Sequence, residues 1–470
     1  MSRPVLTVLS RDEIEAIKAG SLRILESTGI SITYAPAREV LQAAGARVEG
    51  EYIFFPSRLV EEAVAKAPRQ FTIYARNPAR NVTVGSGQMV LAPGYGAPFI
   101  TDGSGKKRRA TWDDFVVLAR LAGASENINI SGGVLVEPVD VPAGKRHKVM
   151  LYSCMANSDK PFMGSATGAD HARDSIAMAA RLFGGENVIR EKPVMITLIN
   201  SLTPLMFDER MTGALMAHAE AGQPLIIASL AMAGSTSPAT LAGTLAVQNA
   251  EVLAGIVLAE TVREGTPVVY GSASSITDMR YGSLSIGAPE GAWLVAATAQ
   301  IAHAYGFPCR AGGCLSDSKL PDSQAAYESM MNLQSAGLAG VDFVLHAAGI
   351  LESYLSMSLE KFVIDDEICG MVRRYLAGTR VDVDGLALEL IEATGPGGQF
   401  LTSEHTYRHF KSEFWQPSLA SRSSYDQWQV DGARDLLARA SVRLKEMLAG
   451  YEIPALDPGL DRELRAMVEA

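Results

Sequence analysis

Apolar positions along the chain fall into two alternating kinds of segment. Short, β-branched apolar runs occur at 89–91, 128–136, 161–164, 194–200, 225–229, 268–272, 308–313 and 342–346, and they give way to Gly, Ser, Asn, Asp or His instead of further apolar residues. Between them lie helix-length stretches, among them 113–124, 171–183, 209–220, 241–263, 289–305 and 322–339, with apolar residues spaced i, i+3, i+4. The strand-to-strand interval is roughly 30–45 residues, the size of a βα unit with modest insertions. Helix starts are marked by Thr111, Asp208 and Asp322, and helix ends by Gly222, Gly265 and Gly306, with Pro224, Pro267 and Pro308 following. The pattern predicts an α/β fold, a (β/α)8 TIM barrel with its chemistry at the strand C-termini.

The chain has 470 residues, 47% hydrophobic and 20% charged, whereas a bare barrel takes about 250 residues. The surplus predicts three regions. Residues 1–80 form an N-terminal α/β layer (helices at 11–28 and 36–44, a strand at 52–55, then 56–67), 81–375 the barrel core, and 376–470 a helical extension completing it. Residues 1–10 lack the basic start and apolar centre of a secretory leader, and no stretch of about 18 uncharged apolar residues occurs, so a cytoplasmic location without membrane association is expected. Cys154, Cys309, Cys314 and Cys369 form no CxxC pair and read as reduced, mostly buried thiols. The net charge of −10 disfavours nucleic acid as a partner. The basic run from Lys106 to Arg109 follows Asp102 and Gly103 and reads as a solvated hairpin turn.

Candidate chemistry sits where the runs end. Tyr95 lies between Gly94 and Gly96, which leave its ring uncrowded to line a site or simply to cover the core. Asn200 offers an amide for a ligand carboxylate or hydroxyl, with an Asx cap on the next helix as the rival reading. The densest polar cluster follows 308–313: Gly312 and Gly313 allow close backbone approach, Ser316 and Ser318 add hydroxyls, and Asp317 adds charge at the rim. After 342–346 come His346, suited to handling a proton near neutral pH, and Glu352, a counter-charge for a cation. His346 also reads as a hydrogen-bonded core histidine. The chain has no GxxxxGK[ST], no strand-anchored GxGxxG and no GxSxG, and the 395–398 glycine run reads as a loop. It has no HExxH and no compact His/Asp cluster in sequence, so no metal is assigned.

Several of these segments together resemble the trimethylamine methyltransferase (MttB) superfamily. They are Gly312-Gly313-Cys314-Leu315-Ser316-Asp317-Ser318-Lys319 with Asp322-Ser323-Gln324, Leu338-Ala339-Gly340, His346-Ala347-Ala348-Gly349, Ser358-Leu359-Glu360, Gly395-Pro396-Gly397-Gly398-Gln399-Phe400 with His405-Thr406, and also 92–96 and 287–290. The resemblance spans nearly the whole chain. It implies a TIM barrel that moves a methyl group from an amine to the Co(I) of a cobalamin-type corrinoid carried by a separate protein. The archetype uses pyrrolysine; this chain has only standard residues and so resembles the non-pyrrolysine branch, which acts on betaine-type compounds such as glycine betaine.

A quaternary ammonium leaves as a neutral tertiary amine and needs no acid, so such an enzyme mainly needs to position its substrate. On that reading Tyr95, Phe207 and Tyr354 are walls for the cation and Asn200 binds the carboxylate. His346 and Glu352 lie near the methyl in transfer, Asp317 is a third catalytic candidate, and Gly312, Gly313, Ser316 and Ser318 face the corrinoid. A corrinoid protein is the expected partner, with 405–415 contributing to docking, and the Ala/Leu-rich helices suggest a homo-oligomer. Two readings compete: a barrel lyase or aldolase on a small carboxylic acid, with Lys319 the nearest Schiff-base candidate, and a non-catalytic binder of quaternary ammonium compounds.

Overall fold

The computed structural model describes residues 5–470, so the first four residues of the segment read for a leader lie outside the described residues. Seven short parallel strands form the central sheet: β1 (Val90–Leu91), β2 (Phe162–Met163), β3 (Met195–Asn200), β4 (Leu225–Ser229), β5 (Val268–Ser272), β6 (Cys309–Arg310) and β7 (Phe343–Val344). Their order is β1-β7-β6-β5-β4-β3-β2, so the last strand in the chain pairs with the first and the sheet curls back on itself. Parallel neighbours need crossovers, and the helices Ala169–Phe183, Glu209–Glu220, Leu241–Val262, Pro289–Tyr305 and Ser323–Ala339 supply them.

Seven strands replace the eight expected. The run 128–136 contains no strand, yet it fills the gap between β1 and β2: Asn129 N donates to Leu91 O at 2.8 Å, Ser131 N to Pro161 O at 2.8 Å, and Met163 N to Gly132 O at 2.8 Å. Gly132 takes φ +120°, outside the β region, and a Cβ on Gly133 would meet Met163 Cβ at 2.7 Å. The two glycines let the chain bend away after three residues of ladder. Lys160 fixes this segment from below. Its buried ammonium donates to the carbonyls of Ala122, Ser125 and Ile128 at 2.6–2.7 Å.

Alternate residues of the strands point inward. Ile196 and Leu198, Ile226 and Ala228, and Phe343 and Leu345 pack with Val90, Ile130, Val269 and Met163 in one cluster. A hairpin of Phe71–Ile73 and Val82–Val84 contributes Phe71, Ile73, Val82 and Val84 to the same cluster, and Tyr74 N donates to Pro193 O just before β3. It plugs the end where the strands begin, each buried side chain stabilising by roughly 1.5–3 kcal/mol. The opposite end, at the strand C-termini, is left for chemistry. The hairpin spans residue 80, stitching the N-terminal layer into the sheet's interior.

Outside the sheet, helix Leu241–Val262 is apolar and long enough to cross a membrane by length and composition, but most of it is buried inside the fold. The N-terminal helices Arg11–Ser27, Ala35–Ala43 and Ser57–Lys66 pack on it, the first started by a Ser10–Glu13 capping box. Downstream, helix Leu359–Ala377 packs on Ser323–Ala339. Four short helices between 383 and 430 bury none of their side chains, and helices Leu436–Gly450 and Pro458–Glu469 then return to the body.

Candidate active site

The loops after β6 and β7 meet at the open end, and one close approach organises them. Gly313 adopts φ +145°, and a Cβ there would sit 2.6 Å from Leu345 O and 2.7 Å from His346 O. Only glycine allows the two backbones to pass so closely. Cys314 N then donates to His346 O at 2.9 Å, and Lys361 Nζ, itself buried and paired with Asp365 at 2.6 Å, donates to Cys314 O. Asp365 also accepts from Gly349 N at 2.7 Å. This network holds His346 at φ +64°, a conformation non-glycine residues seldom take without support.

His346 is buried, and its Nδ1 accepts from Tyr95 N at 3.2 Å, so the neutral ring carries its proton on Nε2. Burial, with the charge of Arg310 nearby, holds its pKa well below the ordinary imidazole value. Its ring lies 4.7 Å from that of Tyr354. Tyr354 ends a turn in which Glu352, Ser353 and Tyr354 all have positive φ, at +50°, +51° and +76°.

The rim residues hold that turn. Glu352 N donates to Ser318 O, Ser353 N to Ser316 O, and Ser353 Oγ to Asp317 Oδ1 at 2.6 Å. Asp317 also accepts from Ile286 N and Gly287 N, so its carboxylate joins three loops. The carboxylate of Glu352 turns to the rim and pairs with Lys107 at 2.5 Å.

The remaining sequence candidates divide. Tyr95 packs on the interior cluster beside Gly133, and burial pushes its phenol up. Asn200 ends β3 half-buried, its amide without a hydrogen-bond partner among the described residues. Ser316 and Ser318 are buried and spend their hydroxyls on Glu328 and Asp322. Gly312 packs on Ala336 and Val295, and Gly313 on the β7 backbone. These four shape the loop, and the side-chain hydroxyls of Ser316 and Ser318 are engaged within it. Phe207 lies elsewhere in the fold. It pairs with Ile32 in the N-terminal sheet, and its ring faces Gly255 of helix Leu241–Val262, outside the strands and away from the open end. The cysteines are all free and buried.

Two features escaped the sequence reading. Among the described residues, Asp384, His405 and His409 bring ligand atoms within 4.8 Å of one another in the exposed 378–433 segment; Arg380 and Arg408 also face Asp384, so that carboxylate already has cation partners. The other is Arg310, 1% exposed inside the sheet. Its Nη1 donates to Ser272 O at 2.6 Å, its Nε has no partner, and no carboxylate among the described residues pairs with it. A signal was present: Arg310 interrupts an apolar run and shares strand parity with Gly312. Beside these groups, a cavity of about 10 Å³ is lined by Ser272, Ser274, Gly312, Leu315 and Tyr354, room for roughly one water.

A family model described as trimethylamine methyltransferase (MTTB) matches residues 1–470. The chain is 53% identical to a glycine betaine methyltransferase of Desulfitobacterium hafniense (strain Y51), over 99% of this chain and 97% of that one. It is 32% identical to a proline betaine:corrinoid methyltransferase of Eubacterium limosum, over 95% and 94%. The solved monomethylamine methyltransferase (MtmB) of Methanosarcina barkeri shares the fold with a TM-score of 0.55, at 12% identity, over 95% of this chain and 89% of that one. With the motifs in order along the chain and the family model matched from end to end, the protein belongs to the trimethylamine methyltransferase (MttB) family.

Proposed function

We propose that this protein is a methyltransferase that moves a methyl group from a betaine-type quaternary amine to the Co(I) of a corrinoid carried by a separate protein. The observation that carries the reading is the 53% identity, over nearly the full chain, to a glycine betaine methyltransferase. The site chemistry supports it. As the methyl leaves, the C–N bond breaks and its electron pair returns to nitrogen, giving a neutral tertiary amine, so no general acid is required. A histidine kept neutral by burial, as His346 is, suits such a step better than acid catalysis would.

In this reading Tyr95 and Tyr354 offer aromatic faces to the ammonium, and Asn200 donates to the substrate's oxygens. His346 lines the position of the methyl, while Glu352 and Asp317 act through the turn that presents Tyr354. Because the cavity beside Tyr354 is small, substrate entry requires the 352–354 turn to move. The curled sheet, with 128–136 as its eighth stave, reads as a (β/α)8 barrel. A cytoplasmic enzyme of one-carbon metabolism, docking its corrinoid protein at the open end, completes the proposal. The exposed Val381, Val383 and Leu401 of the 378–433 segment support a homo-oligomer.

A Schiff-base enzyme is disfavoured: Lys319 is exposed and its ammonium donates to Asp317 O. Purified protein mixed with chemically reduced cob(I)alamin and a panel of quaternary amines tests the proposal. Loss of the cob(I)alamin absorbance with one betaine is expected. No conversion with any betaine, even with the cognate corrinoid protein added, would leave only a binder.

A further inference from the structure

Among the described residues Arg310 is the largest fully buried side chain, and it stands where an apolar residue would ordinarily fill the sheet's interior. Its neighbours make room for it. The inward positions beside it on β4 and β5 are Ala228 and Gly271, and a Cβ on Gly271 would meet Ala228 Cβ at 2.8 Å. A buried guanidinium normally demands a carboxylate, because removing its charge from water is costly unless the charge is paired and hydrogen-bonded. Among the described residues a single hydrogen bond, to Ser272 O, serves a group with five N–H donors, and Nε has no partner there. The charged groups that lie close are no substitute: His346 is neutral, and Tyr354 and Cys309 keep their protons because burial pushes both up. Ser272, whose carbonyl takes that bond, lines the small cavity together with Tyr354, and the charge of Arg310 acts on both His346 and Tyr354.

We infer that Arg310 is the carboxylate anchor of the active site, and that it makes the enzyme select zwitterionic quaternary amines over cationic ones. This rests on the betaine reading and deepens it. A guanidinium presents paired donors that match a carboxylate fork to fork. In a betaine such as glycine betaine the nitrogen is two bonds from the carboxylate carbon, so anchoring the carboxylate on Arg310 carries the ammonium to the Tyr354 and His346 rings. A cation lacking the carboxylate meets the reverse situation, since the buried positive charge repels it and leaves the donors unpaired. Sites built around a buried polar group reject analogues that lack its partner far more strongly than hydrophobic pockets do.

Three ligands separate the parts. Glycine betaine has both charges, choline has the same cationic head with a hydroxyl for the carboxylate, and 3,3-dimethylbutyrate copies the shape of betaine with a neutral head. Binding is measured by calorimetry without corrinoid, and methyl transfer in parallel, for wild type, Arg310→Met and Arg310→Lys. Wild type is expected to bind 3,3-dimethylbutyrate and to prefer betaine to choline at least 100-fold. Arg310→Met is expected to lose dimethylbutyrate binding, to reduce that preference at least 100-fold through KM more than kcat, and to melt no lower than wild type, since an unpaired buried charge has gone. Arg310→Lys, which keeps the charge without the fork, is expected to lose at least 10-fold in betaine affinity and covers the case in which the Met variant fails to fold. A folded Arg310→Met that keeps dimethylbutyrate affinity and betaine preference within threefold overturns the inference, as does wild type that does not bind dimethylbutyrate. Arg310-dependent binding without any methyl transfer upholds the anchor and overturns the enzymatic reading; transfer with an unchanged preference does the opposite.

Discussion

The rings of His346 and Tyr354 stand 4.7 Å apart and tilted by 46°, and both residues have positive φ, +64° and +76°. These are two side chains on irregular backbone that face each other after the seventh strand. If Tyr354 is a wall for a quaternary ammonium, its face contributes roughly 0.5–2 kcal/mol. Tyr354→Ala is then expected to raise KM for betaine about 2- to 30-fold, and Tyr354→Phe to leave it nearly unchanged. Steady-state kinetics on both variants checks this, and equal losses in both would deny the ring its role.

Gly313 is a position in the candidate site where side-chain volume does harm. Alanine there meets two carbonyl oxygens at under 3 Å in a backbone conformation that L residues avoid. Gly313→Ala is expected to cost about 3 kcal/mol or more. Because the displaced carbonyls belong to Leu345 and His346, kcat/KM is also expected to fall by about 100-fold. Thermal unfolding and kinetics on one preparation test both.

Lys160 supports the segment that stands in for an eighth strand. With methionine in its place, three buried carbonyls lose their donor at once. At about 1–3 kcal/mol for each unsatisfied group, Lys160→Met is expected to lose at least about 3 kcal/mol, with amide exchange rising first at 129–132. Uniform exchange across the sheet would contradict a local role.

His218 gives a pH signature. It is fully buried, and burial pulls its pKa down to about 4 from 6.5. Below pH 6.5 the unfolded chain takes up a proton that the folded chain refuses, so the fold loses stability as pH falls, and the loss ends near pH 4. Relative to His218→Gln, wild type is therefore expected to lose about 1.4 kcal/mol per pH unit across that window and nothing above it. Denaturant melts at several pH values would reveal a flat difference if the histidine stayed protonated.

Much of this architecture could be read from the chain because local signals agreed with it. The helices Glu209–Glu220 and Pro289–Tyr305 begin and end where their caps and spacing predict, and Asp208 and Asp322 accept from Met211 N and Ala325 N as caps should. The expected eighth strand failed because Gly132 leaves the β region, which an apolar run does not reveal. The packing of Phe207 was not legible because its loop pairs with Ile32, some 175 positions away, a long-range match that no local pattern encodes. Polar density at 316–318 does not reveal that these side chains also bond within their own loops, since short polar side chains satisfy neighbouring groups as readily as ligands. Arg310 lay hidden inside an apolar run, legible only once strand parity is counted back from Gly312.

The central claim is that a methyl leaves a betaine nitrogen for a corrinoid. Methyl-labelled [13C]glycine betaine, incubated with the protein and reduced corrinoid and followed by 13C NMR, measures that directly. The account predicts labelled methyl on cobalt in one-to-one amount with dimethylglycine, at a rate proportional to enzyme. Label remaining wholly on nitrogen, with betaine bound yet unchanged, would contradict it.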